Sequence, residues 1–189
     1  MEGINQPEPP LLLERISSLD AKKIRFEINR IQLPIGIKST FGMICHPGAS
    51  LAVPITNEGH VVILRQYRFA VGRRILEFPA GTLEEGEDPL ESMKRELAEE
   101  AGYKASCWES LGEMLPCPGY SNELIHLYLA KDLMPIPEPP KGDEDEDLEV
   151  LHMKFEELEN LLTNRKEVLD GKSLTAWYLA RQFLQSQKI

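Results

Sequence analysis

Three glutamates, Glu96, Glu99 and Glu100, stand close together in the segment GTLEEGEDPLESMKRELAEEAGY, Gly81 to Tyr103. Wound as a helix at about 100° per residue, they share a band of about 100°. Leu90, Met93, Leu97 and Ala101 fall on an adjoining apolar stripe, so the acids border the buried seam instead of facing away from it. An acidic helix face is usually just solvated. Here the neighbours at i,i+3 and i,i+4 repel by about 0.2–0.5 kcal/mol per pair in water, and by more once desolvated. A hard divalent cation would relieve that repulsion. Mg²⁺ and Mn²⁺ take oxygen ligands and keep several waters, and such a centre suits attack of water on phosphorus.

The wider spacing is more specific than the acids alone. It runs Gly81, five residues, Glu87, seven residues, then Arg95-Glu96-Leu97-x-Glu99-Glu100-x-Gly102. This resembles the Nudix box, G-x5-E-x7-R-E-U-x-E-E-x-G-U, where U is a bulky aliphatic residue. At usages of roughly 5–7% per specified residue, a chance match is on the order of 10⁻⁹ per starting point. Tyr103 departs from the pattern, being aromatic where an aliphatic residue is usual. The resemblance implies an α/β/α sandwich, a mixed sheet between helices, that hydrolyses a nucleoside diphosphate linked to another moiety with Mg²⁺ (Mn²⁺ as substitute). It implies Glu96 and Glu100 as principal metal ligands, Glu99 assisting, and the carbonyl of Ala80 completing the site. Arg95 would pair with Glu87 to brace the loop-helix-loop.

Three further segments resemble the ADP-ribose pyrophosphatases of that family. Leu64-Arg65-Gln66-Tyr67-Arg68 and Glu77-Phe78-Pro79-Ala80-Gly81 match the strands before the box, with Arg68 implied to hold the diphosphate. Cys117-Pro118-Gly119-Tyr120-Ser121-Asn122-Glu123 resembles the subfamily's S-P-G-x-[ST]-x-E loop, which implies Pro118, Gly119 and Glu123 at the substrate, Glu123 on the terminal ribose. The acidic run Asp143 to Asp147 resembles the loop that supplies the general base, which implies Glu144 as base and Glu146 as a further acid of the metal site. The subfamily commonly carries Arg-Glu on the strand before His46-Pro47-Gly48-Ala49, reaching toward adenine; the corresponding residues here are read as Gly42-Met43. The implied reaction is hydrolysis of ADP-ribose to AMP and ribose 5-phosphate. A hexose-linked nucleoside diphosphate is the nearest alternative substrate, and a non-catalytic ADP-ribose sensor is the alternative of another class.

These residues need elements to position them. Asp88-Pro89 opens the box helix as cap and first residue, and Gly102 ends it. Residues 1–10, with three prolines, read as a tail. Ile24, Phe26 and Ile28 alternate with polar residues as the inward face of a strand, with a break expected near Arg30. LAVPIT, the turn Asn57 to His60, and VVILRQYRF read as a hairpin. ILEFPA (75–80) is a short strand, strands of about six residues follow around 108–115 and 124–130, and LEVLHMKF is the last. FEELENLL and an amphipathic segment capped by Ser173 are helices. Residues 1–45 thus form a tail and a small β-rich dimerisation segment, and 46–189 the hydrolase domain.

Composition narrows the remaining classes. The chain has 189 residues, 21 Lys+Arg and 31 Asp+Glu, for a net charge of −10. That acidity argues against nucleic acid as a partner, which needs a basic face. No run approaches 18 apolar residues, so no membrane span is expected, and the first residues lack a signal peptide's pattern. Cys45, Cys107 and Cys117 cannot all pair, and a cytoplasmic, reducing compartment is expected. The strand-rich appendage is too small to bury both of its faces, which predicts a homodimer.

Overall fold

The computed structural model describes residues 9–142, 147–164, 167 and 169–187. It divides into two compact units. The first takes the N-terminal residues to Pro47 together with Cys117–Glu123; the second holds Gly48–Pro116 and the chain from Leu124 onward.

Within the first unit, β1 (Leu11–Ala21), β2 (Ile24–Gln32) and β3 (Lys38–Cys45) form an antiparallel sheet in sequence order. The expected break near Arg30 is absent: β2 runs unbroken, and the register shifts fall in β1, between Leu12 and Glu14 and between Arg15 and Ser17. The inward face is also the opposite of the one expected. Glu27 and Asn29 are buried, whereas Phe26 is 46% exposed. The reason is electrostatic pairing. Glu27 accepts from Arg25 Nε at 2.7 Å and Asn29 Nδ2 at 2.9 Å and pairs with Arg15 at 3.1 Å, so the carboxylate is satisfied where it is. The Asn29 amide holds its pKa below the usual carboxylate range. Phe26 instead lies over Gly42, where an added Cβ would stand 3.2 Å from its ring.

In the second unit, β4 (Ala49–Pro54), β7 (Ala80–Thr82), β9 (Ile125–Pro135) and β8 (Tyr103–Met114) make a sheet of order β7-β4-β9-β8, with β4 and β9 parallel. A second, antiparallel sheet has the order β10-β5-β6, from Leu148–Lys154, His60–Arg68 and Arg73–Glu77. The expected hairpin is therefore realised only at its base. Ile55 bridges Val61 and Thr56 N–H donates to His60 O, after which β4 and β5 part into different sheets. Strands β8 and β9 are about twice the expected length, since they pair with each other from Tyr103–Pro135 to Met114–Ile125.

Strand alternation sorts the core into two layers. Leu51, Val53, Val61 and Ile63 face one cluster with Leu158, Ala176, Trp177 and Ala180 of α2 (Phe155–Asn164) and α3 (Gly171–Ser186). Ala52, Val62 and Ala130 face the other, with Met93, Leu97 and Ala101 of α1 (Pro89–Ala101). All six residues of β4 are buried, as a strand covered on both faces requires. The second unit is thus an α/β/α sandwich with mixed strand directions. No helix of the described residues is long and apolar enough to cross a membrane.

Candidate active site

Helix α1 forms where its local chemistry directs. The Asp88 carboxylate accepts from the N–H groups of Leu90 and Glu91 at 3.0 and 3.1 Å, Pro89 fits the first turn, and Gly102 closes the end at φ 73°. Its inward face carries two acids among its apolar residues. Glu96 is 8% and Glu100 5% exposed, one turn apart and level with buried Met93 and Leu97. Glu99, on the border of that face, is partly buried.

Strand β7 receives these two carboxylates. Glu100 Oε2 accepts from Ala80 N–H at 2.9 Å. The Glu96 carboxylate fills the space beside Gly81, so that a Cβ at position 81 would overlap it. Glycine is needed there for close approach, not for an unusual backbone angle.

Arg95 stands among the remaining acids. Its Nη1 donates to Glu96 Oε1 at 2.8 Å and Glu99 Oε2 at 3.1 Å, while Nη2 and Nε each reach Glu87 Oε1 at 3.3 Å. Burial opposes the charge of Arg95, but Glu96, Glu87 and Glu99 outweigh it and raise its pKa. Glu87 also accepts from Glu84 N–H at 3.0 Å; that bond and Arg95 overcome partial burial and hold the Glu87 carboxyl below its usual range. Among the described residues, no three His, Cys, Asp or Glu side chains are gathered tightly enough to hold an ion as they stand. Tyr103, the aromatic residue after the box, shares a 2.8 Å hydrogen bond with His152 Nε2 of β10.

Arg68 ends β5 and donates Nε to Glu77 Oε2 at 2.7 Å. The sequence reading passed over Glu77 as a site residue. It sits within the apolar run ILEF, and one acid inside a short buried strand signals a paired charge. Pro118, Gly119 and Glu123 belong to the first unit. There Ser121 bridges Ile44, Tyr120 O accepts from Ile44 N–H at 2.8 Å, and Glu123 lies 3.9 Å from His46 Nε2. Pro118 and Gly119 are exposed. Glu144 and Glu146 lie outside the described residues.

Residues 46–178 match the NUDIX domain family. The chain belongs to the Nudix family. Similarity to known proteins extends over nearly all of it. It is 35% identical over 183 residues to an ADP-ribose pyrophosphatase of Bacillus subtilis (strain 168), covering 96% of this chain and 97% of that one. It is also 35% identical over 181 residues to a methanol dehydrogenase activator of Bacillus methanolicus, covering 96% and 94%. Among solved structures, an ADP compounds hydrolase superposes with a TM-score of 0.80 at 24% identity, over 97% of this chain and 98% of the other. That likeness fixes the fold of this Nudix hydrolase.

Proposed function

We propose that this Nudix hydrolase cleaves the diphosphate linkage of ADP-ribose with water, giving AMP and ribose 5-phosphate. The observation that carries the reading is the buried pair Glu96 and Glu100, packed against the Gly81 cradle and the Ala80 amide. Arg95 offsets part of the cost of burying two carboxylates a helical turn apart, and a bound cation would offset more. Their donor atoms are all oxygen, which fits Mg²⁺ or Mn²⁺ better than a softer ion. Glu96 and Glu100 would hold the metal, with Glu99 and the Ala80 carbonyl assisting. When bound, the ion neutralises phosphate oxygens and favours attack of water on phosphorus. ADP-ribose as substrate is supported by the full-length similarity to the Bacillus subtilis enzyme.

The protein's own groups then have distinct tasks. Arg95, tied to Glu87, braces the loop-helix-loop and balances Glu96 and Glu99. Arg68 binds the diphosphate through its free edge. Pro118, Gly119 and Glu123 are assigned to the substrate by their place in the loop sequence, Glu123 to the terminal ribose. A carboxylate takes the proton of the attacking water, and Glu144 is assigned that role by its place in the sequence, with Glu146 a further metal-site acid. Glu144→Gln and Glu146→Gln, assayed separately, test the assignment: the base variant loses at least about 10²-fold in turnover. Equal small losses refute it.

The first experiment is Mg²⁺-dependent phosphate release from ADP-ribose, coupled to a phosphatase, with Glu100→Gln as control. Release that Glu100→Gln abolishes is the expected result. Turnover of ADP-glucose or GDP-mannose in its place would transfer the assignment to a hexose-linked substrate. The equal identity to a dehydrogenase activator supports a second reading, action on a partner enzyme, which would show as no turnover by the isolated chain.

The same proposal includes a homodimer. It is supported by apolar side chains on one face of the N-terminal sheet, where Leu19 pairs across to Phe26 and is 70% exposed. The three unpaired cysteines fit a reducing, cytoplasmic compartment.

A further inference from the structure

Glu77 closes β6 as a carboxylate only 3% exposed. Each of its oxygens has a cationic partner. Oε2 accepts from Arg68 Nε at 2.7 Å, and Oε1 from Lys172 Nζ at 2.8 Å. Lys172 lies in the first turn of α3 and pairs also with Asp170, the cap of that helix. Asp170 Oδ1 accepts from Ser173 N–H at 2.9 Å, and Ser173 Oγ accepts from Phe78 N–H at 2.9 Å. The first turn of α3 therefore grips Glu77 and Phe78, the residues from which the chain passes into β7 and the Gly81 cradle.

The division of Glu77's oxygens has a consequence for Arg68. A carboxylate with both oxygens available takes a guanidinium in a bidentate fork, using two of its N–H groups. Lys172 Nζ takes Oε1, and Arg68 is held through Nε alone. Among the described residues, no hydrogen bond is made by its Nη1 and Nη2 groups, and the side chain is nearly half exposed. That leaves the guanidinium edge suited to a pair of phosphate oxygens.

We propose that Glu77 and Lys172 are positioning residues for Arg68: Glu77 anchors the guanidinium by Nε, and Lys172 keeps Glu77 from capturing a second N–H, so that both Nη groups face the substrate diphosphate. This rests on the reading that Arg68 contacts the diphosphate. It places control of substrate affinity in α3, on a residue that touches no substrate.

The test is a double-mutant cycle on the full chain, combining Lys172→Met with Arg68→Ala, read as kcat and KM for ADP-ribose. Binding of the non-hydrolysable α,β-methylene analogue is measured alongside by calorimetry. Lys172→Met should raise KM and the analogue's Kd about tenfold, with kcat within about twofold, the pattern of a lost charge-assisted bond present in ground and transition states alike. Lys172→Arg should restore most of the affinity, which guards against a variant that merely folds poorly. In the Arg68→Ala background, Lys172→Met should add nothing. If Arg68→Ala weakens binding but Lys172→Met does not, or if the two effects simply add, the positioning role is overturned while the substrate reading stands. If Arg68→Ala changes neither KM nor the analogue's Kd, the contact between Arg68 and diphosphate is wrong and the positioning role falls with it.

Discussion

At the scale of single residues, the candidate site is shaped by one missing side chain as much as by its carboxylates. Glu96 occupies the volume that a Cβ at position 81 would fill. Gly81→Ala should therefore turn Glu96 away from its place without unfolding α1, whose cap and apolar stripe are untouched. The expected outcome is a loss of kcat of at least about 10²-fold, because Glu96 would no longer hold the cation that would offset charge on the phosphate. Mg²⁺ should also cease to raise the Tm, as it should in the parent protein by binding the folded state alone. A Gly81→Ala enzyme with full kcat and an undiminished Mg²⁺-induced rise would remove Glu96 from the metal site.

At the scale of elements, the acid sensitivity of α3 is a specific expectation. Burial opposes the charge of Asp170, but Lys172 and the Ser173 N–H outweigh it and lower its pKa. A carboxyl whose folded pKa is depressed stabilises the fold fully above its unfolded value, about 3.9, and that stability is lost as pH falls through the folded value. The Tm gap between the parent protein and Asp170→Asn should thus be steady from pH 7 to about 5 and narrow below about 4. A gap independent of pH down to 3 would contradict the assigned pairing. This helix also shows where sequence reading stops. Ser173 was expected as its cap, yet Asp170 caps it and Ser173 is buried with its hydroxyl on Phe78. Helix α1 was legible because Asp88, Pro89 and Gly102 act within a turn of themselves. The cap of α3 depends on Glu77 and Phe78, far away in sequence. The β4–β5 hairpin failed for the same reason. Its turn is local, but each strand's partners, β9 and β7 for one and β10 and β6 for the other, come from later in the chain. The buried side of β2 was misjudged because alternation ranks Phe26 above Glu27, and only Arg15, Arg25 and Asn29 reverse that order.

At the scale of the whole molecule, the N-terminal sheet carries the outstanding expectation. Leu19 and Phe26 are cross-strand neighbours left exposed in one chain. A contiguous apolar face of this kind marks an interaction surface. Sedimentation velocity at micromolar concentration should show a dimer for the parent protein and a monomer for Phe26→Glu. A parent protein that sediments as a monomer would refute self-association through this face.

The parallel pairing of β4 with β9 also bears on how the molecule is made. Ala49 must find Ile125 before the central strand is covered, and everything from β5 to β8 lies in the loop thereby closed. Contacts so distant are slow to form, because chain entropy is lost before any contact rewards it. Helix α1, with its own start and stop signals, can be present much earlier, its glutamates still hydrated and spread apart. Their desolvation waits for the late step that seats Met93 and Leu97 on Ala52 and Ala130. Catalytic competence should therefore arrive with the slowest refolding phase.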